Sequence, residues 1–217
     1  IAISREIRFG TDAFLLSDFA APRRRDRCCD LCSGCGIVAA LWFRDPDQAP
    51  QAAWCVEIQP RAVGLLRATA AGNGLEGRMI PVQGDLCRLQ ELPLQPGGLD
   101  LVTCNPPYRQ PGSGLVSHRE SDRIARHETL CRAEDICRAA QRLLRHGGRF
   151  CLCQRPGRLA EMISLLQRHQ LEPKRLRLVQ QRPDSAPWLF LLEAKKGSRP
   201  FLQVEAPLII EGEGGFS

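Results

Sequence analysis

Residues 27–43, RCCDLCSGCGIVAALWF, decide the fold. The short apolar run at 27–31 predicts a buried strand, and Gly34 and Gly36 predict a tight turn after it. The apolar residues 37–43 then predict a helix. Strand, glycine-bearing turn and helix in this order are typical of nucleotide-binding Rossmann-like folds, where small residues let a ligand approach the backbone. A lone Gly-x-Gly is weak evidence, so the interpretation depends on the rest of the chain.

Apolar strand-like runs and helical patterns alternate along the whole sequence, which predicts an α/β fold with a mostly parallel sheet and helices on both faces. We expect seven strands, the last two of which, near residues 175–179 and 188–192, form an antiparallel edge hairpin. Residues 1–217 are expected to form a single domain, with residues 1–26 as an N-terminal cap segment and residues 197–217 as an extended tail. Four apolar side chains are expected to dock part of the tail: Phe201, Leu208, Ile209 and Ile210.

Asn105-Pro106-Pro107-Tyr108 directly follows the strand-like run at 99–104. The side-chain oxygen of Asn105 and the carbonyl of Pro106 can both accept hydrogen bonds from one exocyclic amine. Two successive prolines fix φ and carry no N–H, so the direction of that carbonyl is rigid. Tyr108 offers an aromatic face on which a flat base can stack. The alternative is an ordinary proline-rich turn at the end of a strand.

Acidic or amide side chains end four successive predicted strands: Asp30, Glu57, Asp85 and Asn105. Ligands bind beyond the carboxyl ends of the strands in such sheets, so one ligand can contact all four. The Glu57 carboxylate suits a ribose diol, since its two oxygens can accept from two hydroxyls, and Asp85 suits an adenine amine. The alternatives are a solvated acid at Glu57 and a helix N-cap at Asp85.

Phosphate-binding signatures are missing from the glycine turn, because no Lys-Ser/Thr follows it and no third glycine completes G-x-G-x-x-G. An adenosine ligand without a pyrophosphate is therefore the better fit. S-adenosylmethionine (SAM) has that shape, and it carries an activated methyl group on a sulfonium.

The chain resembles the class I SAM-dependent methyltransferases, and more closely those that methylate N6 of adenine 37 in a valine tRNA. The resemblance is carried by residues 10–16 (GTDAFLL), by Asn-Pro-Pro-Tyr and by Arg126-His127-Glu128. It implies a Rossmann-like class I methyltransferase fold with SAM as the cofactor. It also implies that the substrate is tRNA and that the modified base lies in the anticodon loop. One departure is Cys32, which stands where the family pattern has glycine.

The resemblance also implies the site residues. The catalytic set is Asn105, Pro106, Pro107 and Tyr108. The cofactor-binding set is Thr11, Asp12, Asp30, Cys32, Ser33, Gly34, Gly36, Glu57, Ile58, Asp85, Leu86 and Asn105. The segment after Asn-Pro-Pro-Tyr supplies the candidate substrate-binding residues Arg119, Arg123, Arg126 and His127. For His127 we favour a structural or phosphate-facing role over that of a general base, because a methylated amine can lose its proton to water.

Other functions stay open at this point. Glutamine N5-methyltransferases also use Asn-Pro-Pro-Tyr, but they resemble a catalytic domain preceded by a helical substrate domain, and 29 residues precede Asp30 here. DNA adenine methyltransferases more often have Asp in place of Asn105 and add a target-recognition domain, which 217 residues would not accommodate. A non-catalytic RNA-binding module with a vestigial SAM site is the remaining alternative.

Charge and cysteine content set the expected partners and compartment. The net charge of +6 permits a polyanionic partner without establishing one. The 11 cysteines lie largely in apolar runs, where cysteine behaves as a small hydrophobe, and an odd number fits a reducing cytoplasm. Cys29, Cys32 and Cys35 have overlapping C-x-x-C spacings, but no second pair follows, so we expect no metal. No apolar run approaches the length of a membrane span, so we expect no membrane association.

Overall fold

The computed structural model describes residues 1–5, 7, 9–106 and 131–211. Within them, nine strands form one sheet in the order β3-β2-β1-β4-β5-β7-β6-β8, with β9 also pairing with β6. The strands are β1 Arg27–Leu31, β2 Ala52–Glu57, β3 Met79–Gln83, β4 Leu99–Cys104, β5 Leu144–Gln154, β6 Leu171–Gln180, β7 Leu189–Lys196, β8 Gln203–Val204 and β9 Leu208–Ile209.

The first five strands run parallel, so their carboxyl ends meet at one edge of the sheet. In the centre, Asp30 of β1 lies opposite Cys55 of β2 on one side and Thr103 of β4 on the other. Strand β7 is antiparallel to both β5 and β6. The α/β fold class and the antiparallel hairpin are therefore confirmed.

Helices cover both faces of the sheet. The helices are α1 Thr11–Ala20, α2 Ile37–Trp42, α3 Pro60–Gly72, α4 Ala133–Leu143 and α5 Leu159–Arg168, with a 3-10 helix at Leu86–Glu91 and another at Pro156–Arg158. Apolar side chains of α1, α2 and α3 share one buried cluster, and those of α4, α5 and the first 3-10 helix share the other. Alternate residues of β1 supply both clusters, Cys28 facing one and Cys29 the other. Among the described residues, no helix has the length and apolar character needed to cross a bilayer.

The C-terminal segment is more regular than the expected extended tail. Leu208 and Ile209 form β9, and Gln203 and Val204 form β8, so the hairpin strand β6 is covered rather than being the sheet edge. Phe201 does not dock in the core, since it is 72% exposed. Its ring instead lies 5.7 Å from Nζ of Lys174. That residues 1–217 form one domain, with a cap segment and a tail, stays a prediction.

Candidate active site

The turn after β1 is shaped for a close approach to the backbone. Gly36 is the N-cap of α2 with φ of +83°, and a Cβ there would lie 2.3 Å from Cε of Met79. Gly34 also has positive φ, +56°, but no atom of the described residues lies within 4 Å of where its Cβ would be. Cys32 has φ of +58°, a conformation that glycine adopts without strain, which explains why the family pattern has glycine there. The turn is therefore closed on the core side at Gly36 and open at Gly34.

Glu57, the last residue of β2, holds this turn in place. Its Oε2 accepts from the backbone N–H of Gly34 at 2.9 Å, and its Oε1 accepts from that of Gln59 at 2.9 Å. The side chain is buried, and this burial raises the pKa of the Glu57 carboxyl, while hydrogen bonds from backbone N–H groups act in the opposite direction. Glu57 is thus not the solvated acid of the alternative interpretation.

Asp30 is buried at the centre of the same edge. Its Oδ1 accepts from the Thr103 hydroxyl at 2.7 Å. Burial raises the pKa of the Asp30 carboxyl to about 7, and the nearby Glu57 charge adds to the rise. Ser33 donates to the backbone carbonyl of Asp30 at 2.7 Å, which ties the turn back to β1. Two buried carboxyls therefore lie beneath the glycine turn.

Asp85 follows β3 and caps the 3-10 helix, since its Oδ1 accepts from the backbone N–H of Cys87 at 2.8 Å. The helix N-cap was the alternative to an adenine contact for Asp85. Capping uses one carboxylate oxygen, so the other can still contact a ligand. Leu86 next to it is buried, and Ile58 is half-buried after β2. These three residues lie at the carboxyl ends of β2 and β3, the same edge that carries Asp30.

Asn105 is half-buried immediately after β4, and two groups hold its side-chain amide. Its Nδ2 donates to Oδ2 of Asp12 at 3.2 Å, and its Oδ1 accepts from the Cys153 thiol at 3.2 Å. A carboxylate can only accept, so the amide nitrogen must face Asp12 and the amide oxygen must face Cys153. The oxygen therefore has a defined direction.

The beginning of α1 meets the end of β4 through this contact. Gly10 is the N-cap of α1 and makes no side-chain cap bond. Asp12 lies within the helix, where it accepts from the next backbone N–H, at Ala13 (3.1 Å), and from Asn105. Thr11 is exposed at the first position of the helix.

Several expected site residues lie outside the described residues: Pro107, Tyr108, Arg119, Arg123, Arg126 and His127. Pro106 is described and buried at the end of β4. The remaining predicted cofactor residues lie along one edge, formed by the carboxyl ends of β1 to β4 and the beginning of α1.

Other basic residues lie elsewhere. Arg24 and Arg25, just before β1, line a surface cavity with Arg78, which precedes β3, so they lie at the opposite edge of the sheet. Arg175 is structural, because its Nη2 donates to the carbonyl of Phe19 at 2.7 Å and lies 3.5 Å from Oε2 of Glu193.

Sequence reasoning missed Thr103 and Cys153 as contributors. Both lie inside apolar strand runs, where a hydroxyl or thiol has the pattern of an ordinary core residue. One signal was available for Thr103. It lies two residues before Asn105, and because side chains alternate along a strand, the two share a face. Cys153 comes from β5, and nothing in its own segment indicates that it reaches Asn105.

The fold and this edge place the chain among the methyltransferases. Residues 4–169 match the family model described as the methyltransferase small domain. The chain belongs to this family, which confirms the resemblance read from the sequence. A curated relative from Porphyromonas gingivalis, a tRNA1(Val) (adenine(37)-N6)-methyltransferase, is 31% identical over 194 residues, which cover 86% of this chain and 74% of the relative. One of the same name from Aeromonas hydrophila is 29% identical and covers 67% of this chain and 58% of the relative.

Solved structures support the same fold. The structure of a predicted O-methyltransferase from Agrobacterium tumefaciens is similar with a TM-score of 0.75 and 25% identity, covering 95% of this chain and 91% of that chain. A geranyl diphosphate methyltransferase solved in complex with SAM has a TM-score of 0.61 at 13% identity, covering 86% and 84% of the two chains, and this likeness shows the fold alone.

Proposed function

We propose that this protein transfers a methyl group from SAM to the N6 amine of an adenine in tRNA. The observation that carries the proposal is the fixed amide of Asn105, held between Asp12 and Cys153 at the sheet edge where the glycine turn lies. The named activity of the Porphyromonas gingivalis relative, which matches most of the chain, supports the same conclusion.

The Asn105 amide and the Pro106 carbonyl suit an amine acceptor. An exocyclic amine has two N–H groups, and two oxygens that accept from them leave the nitrogen lone pair directed away from both. A hydroxyl acceptor has only one hydrogen and would use only one of these oxygens. This argument favours N-methylation over the O-methylation named for the Agrobacterium tumefaciens structure. The thiol of Cys153 is a weak donor, so a substrate amine can share the amide oxygen with it or replace it.

The residues of the sheet edge fit SAM. Open space above Gly34 gives an elongated ligand access to the turn, and Glu57 and Asp85 provide carboxylate oxygens for ribose hydroxyls and an adenine amine. When bound, SAM supplies an electrophilic methyl group on its sulfonium. The residues of this chain orient the acceptor: Asn105 and Pro106 bind the amine, and Tyr108 is proposed to stack on the base. Little acid–base chemistry is needed, and His127 is assigned to the backbone of the substrate.

The substrate is proposed to be the anticodon loop, because a target base must leave its stack and this costs least in a single-stranded loop. Arg119, Arg123 and Arg126 are proposed to bind the RNA phosphates. We infer a cytoplasmic location from the tRNA substrate together with the free thiols.

Nucleoside mass spectrometry tests the proposal directly. Purified protein is incubated with total tRNA and SAM that carries an isotope-labelled methyl group, and the tRNA is then digested to nucleosides. We expect label in N6-methyladenosine. A protein lysate serves as the competing substrate, since a glutamine methyltransferase would label protein and leave the tRNA unlabelled. Calorimetry of SAM binding distinguishes an active methyltransferase from a vestigial module. The vestigial module would bind no SAM, or would bind it without turnover.

A further inference from the structure

Three potential metal ligands come together beside the 3-10 helix that follows β3. The Cys87 and Cys131 sulfurs and a carboxylate oxygen of Asp135 all lie within 4.8 Å of one another. Cys87 is exposed on the 3-10 helix, Cys131 lies just before α4, and Asp135 is in the first turn of α4. Two segments far apart in sequence therefore bring two thiols and a carboxylate together. We refer to these three residues as the thiol–carboxylate cluster.

Further donor groups adjoin the cluster. The Asp85 carboxylate accepts from both the backbone N–H of Cys87, at 2.8 Å, and the Cys87 thiol. The thiol of Cys32 lies near that of Cys131. A ligand bound by the cluster therefore has additional sulfur and oxygen groups next to it.

The donor set of the cluster suits a thiophilic cation. Two sulfurs and a carboxylate oxygen lie within 4.8 Å of one another, and a divalent cation can pair with all three once the thiols are deprotonated.

Two neighbours in its own segment hold the Asp135 carboxylate. Its Oδ2 accepts from the backbone N–H of Arg132 at 3.0 Å, and its Oδ1 lies 3.2 Å from Nη1 of Arg138. Hydrogen bonds of this kind hold the ligating carboxylates of metal sites. Arg138 is 60% exposed at its side chain, so it can turn into solvent when a metal takes its place beside Asp135.

We propose that Cys87, Cys131 and Asp135 bind a thiophilic divalent cation of the Zn²⁺ type, with Asp85 adjoining the fourth position. Ligand atoms around a tetrahedral zinc ion are about 3.5–3.8 Å apart, as follows from Zn–S bonds of about 2.3 Å and Zn–O bonds of about 2.1 Å. Small side-chain rotations therefore close the cluster around the ion. The proposal concerns different residues from the C-x-x-C spacings of Cys29, Cys32 and Cys35. It does not require the proposed methyl transfer, although Asp85 adjoins both proposed sites.

Cobalt spectroscopy on the full chain tests the site. Co²⁺ takes the ligands and geometry of Zn²⁺, and each thiolate bound to it adds to an intense sulfur-to-metal absorption. We titrate the reduced protein with Co²⁺ and then displace it with Zn²⁺. The variants are Cys87→Ser, which removes one proposed ligand at an exposed position, Asp135→Asn, and Cys137→Ala as the matched control on the same helix.

For the unmodified chain we expect the sulfur-to-metal absorption to saturate at one equivalent of Co²⁺ and to disappear when Zn²⁺ is added. Cys87→Ser should lose about half of the intensity, since one of two thiolates is gone. Asp135→Asn should weaken Co²⁺ binding by about tenfold or more, because even second-shell changes have effects of that size. Cys137→Ala should behave like the unmodified chain. Failure to see the absorption in the unmodified chain, or its full retention in Cys87→Ser, would overturn the proposal.

Discussion

Asn105 and Asp12 are joined by a hydrogen bond of 3.2 Å between the end of β4 and the beginning of α1. The contact fixes the orientation of the amide, because a carboxylate accepts only from the nitrogen end. It gives Asp12 a way to position Asn105, and we expect Asp12 to act through that residue. The cofactor contact implied for Asp12 by the family resemblance stays a prediction.

Replacing Asp12 by Ala tests this assignment. Without the carboxylate, the Asn105 amide can rotate, and we expect kcat for methyl transfer to fall by roughly tenfold to a hundredfold, or about 1.4–2.7 kcal/mol. Asp12→Asn keeps an acceptor oxygen and should retain more activity. Single-turnover methylation gives the rate, and calorimetry gives the affinity for SAM. A parallel loss of SAM affinity would instead place Asp12 on the cofactor.

Glu57→Ala should weaken SAM binding and also lower stability. The carboxylate is proposed to contact the ribose, and it holds the N–H groups of Gly34 and Gln59. Each donor left unsatisfied costs about 1–3 kcal/mol, so the free energy of unfolding should fall by at least that amount. Calorimetry should show a dissociation constant for SAM raised by about tenfold or more. If Glu57→Ala unfolds more easily but binds SAM as before, Glu57 is purely structural.

Gly36→Ala should destabilise the protein. Alanine at this position would have to adopt a backbone φ of +83°. Its methyl group would lie 2.3 Å from the Met79 side chain and 3.2 Å from that of Leu66. We expect a loss of roughly 1–3 kcal/mol in the free energy of unfolding, measured by urea denaturation. Gly64→Ala is the matched control, since Gly64 lies in α3 and, in the part of the chain that the structure describes, nothing lies within 4 Å of its Cβ position. That variant should gain about 0.5–1 kcal/mol. Equal effects in the two variants would contradict the description of the turn.

Asp30 should make stability depend on pH. Its pKa is about 7 in the folded protein and about 3.8 when unfolded. Between these values the folded state binds the extra proton, so the free energy of unfolding falls as the pH rises from about 4 to about 7 and is level above that. Asp30→Asn keeps the acceptor for Thr103 and removes the titration. Urea denaturation at several pH values gives the free energy of unfolding of both proteins. Relative to the unmodified chain, that of the variant should rise by up to about 4 kcal/mol between about pH 4 and pH 7. A constant difference would contradict a neutral, buried Asp30.

Much of the fold could be predicted because each element carries its own signal. The apolar runs of β1 to β4, the glycine turn and Pro60 at the beginning of α3 are local features. The parallel arrangement then places Asp30, Glu57 and Asn105 at one edge. β8 and β9 could not be predicted, because strands of two residues have little propensity of their own and form by pairing with β6.

Contacts between distant side chains set the limit of the sequence-based prediction. Asp12 pairs with Asn105 from 93 residues away, and Cys153 reaches the same amide from β5. The thiol–carboxylate cluster likewise unites two segments whose own patterns indicate only a helix cap and an amphipathic helix. Their meeting depends on how the loops pack at the sheet edge, which no local periodicity describes.

Asn105→Ala is the most direct test of the central claim, that a fixed amide and the Pro106 carbonyl present an adenine amine to the methyl group of SAM. Single-turnover transfer to tRNA and the calorimetric affinity for SAM are measured side by side for the variant and the unmodified chain. We predict that the rate falls by about a hundredfold or more, as expected for a misplaced acceptor, while SAM affinity is nearly unchanged. A variant that still transfers methyl groups at the original rate, or that loses SAM binding to the same extent as activity, would contradict it.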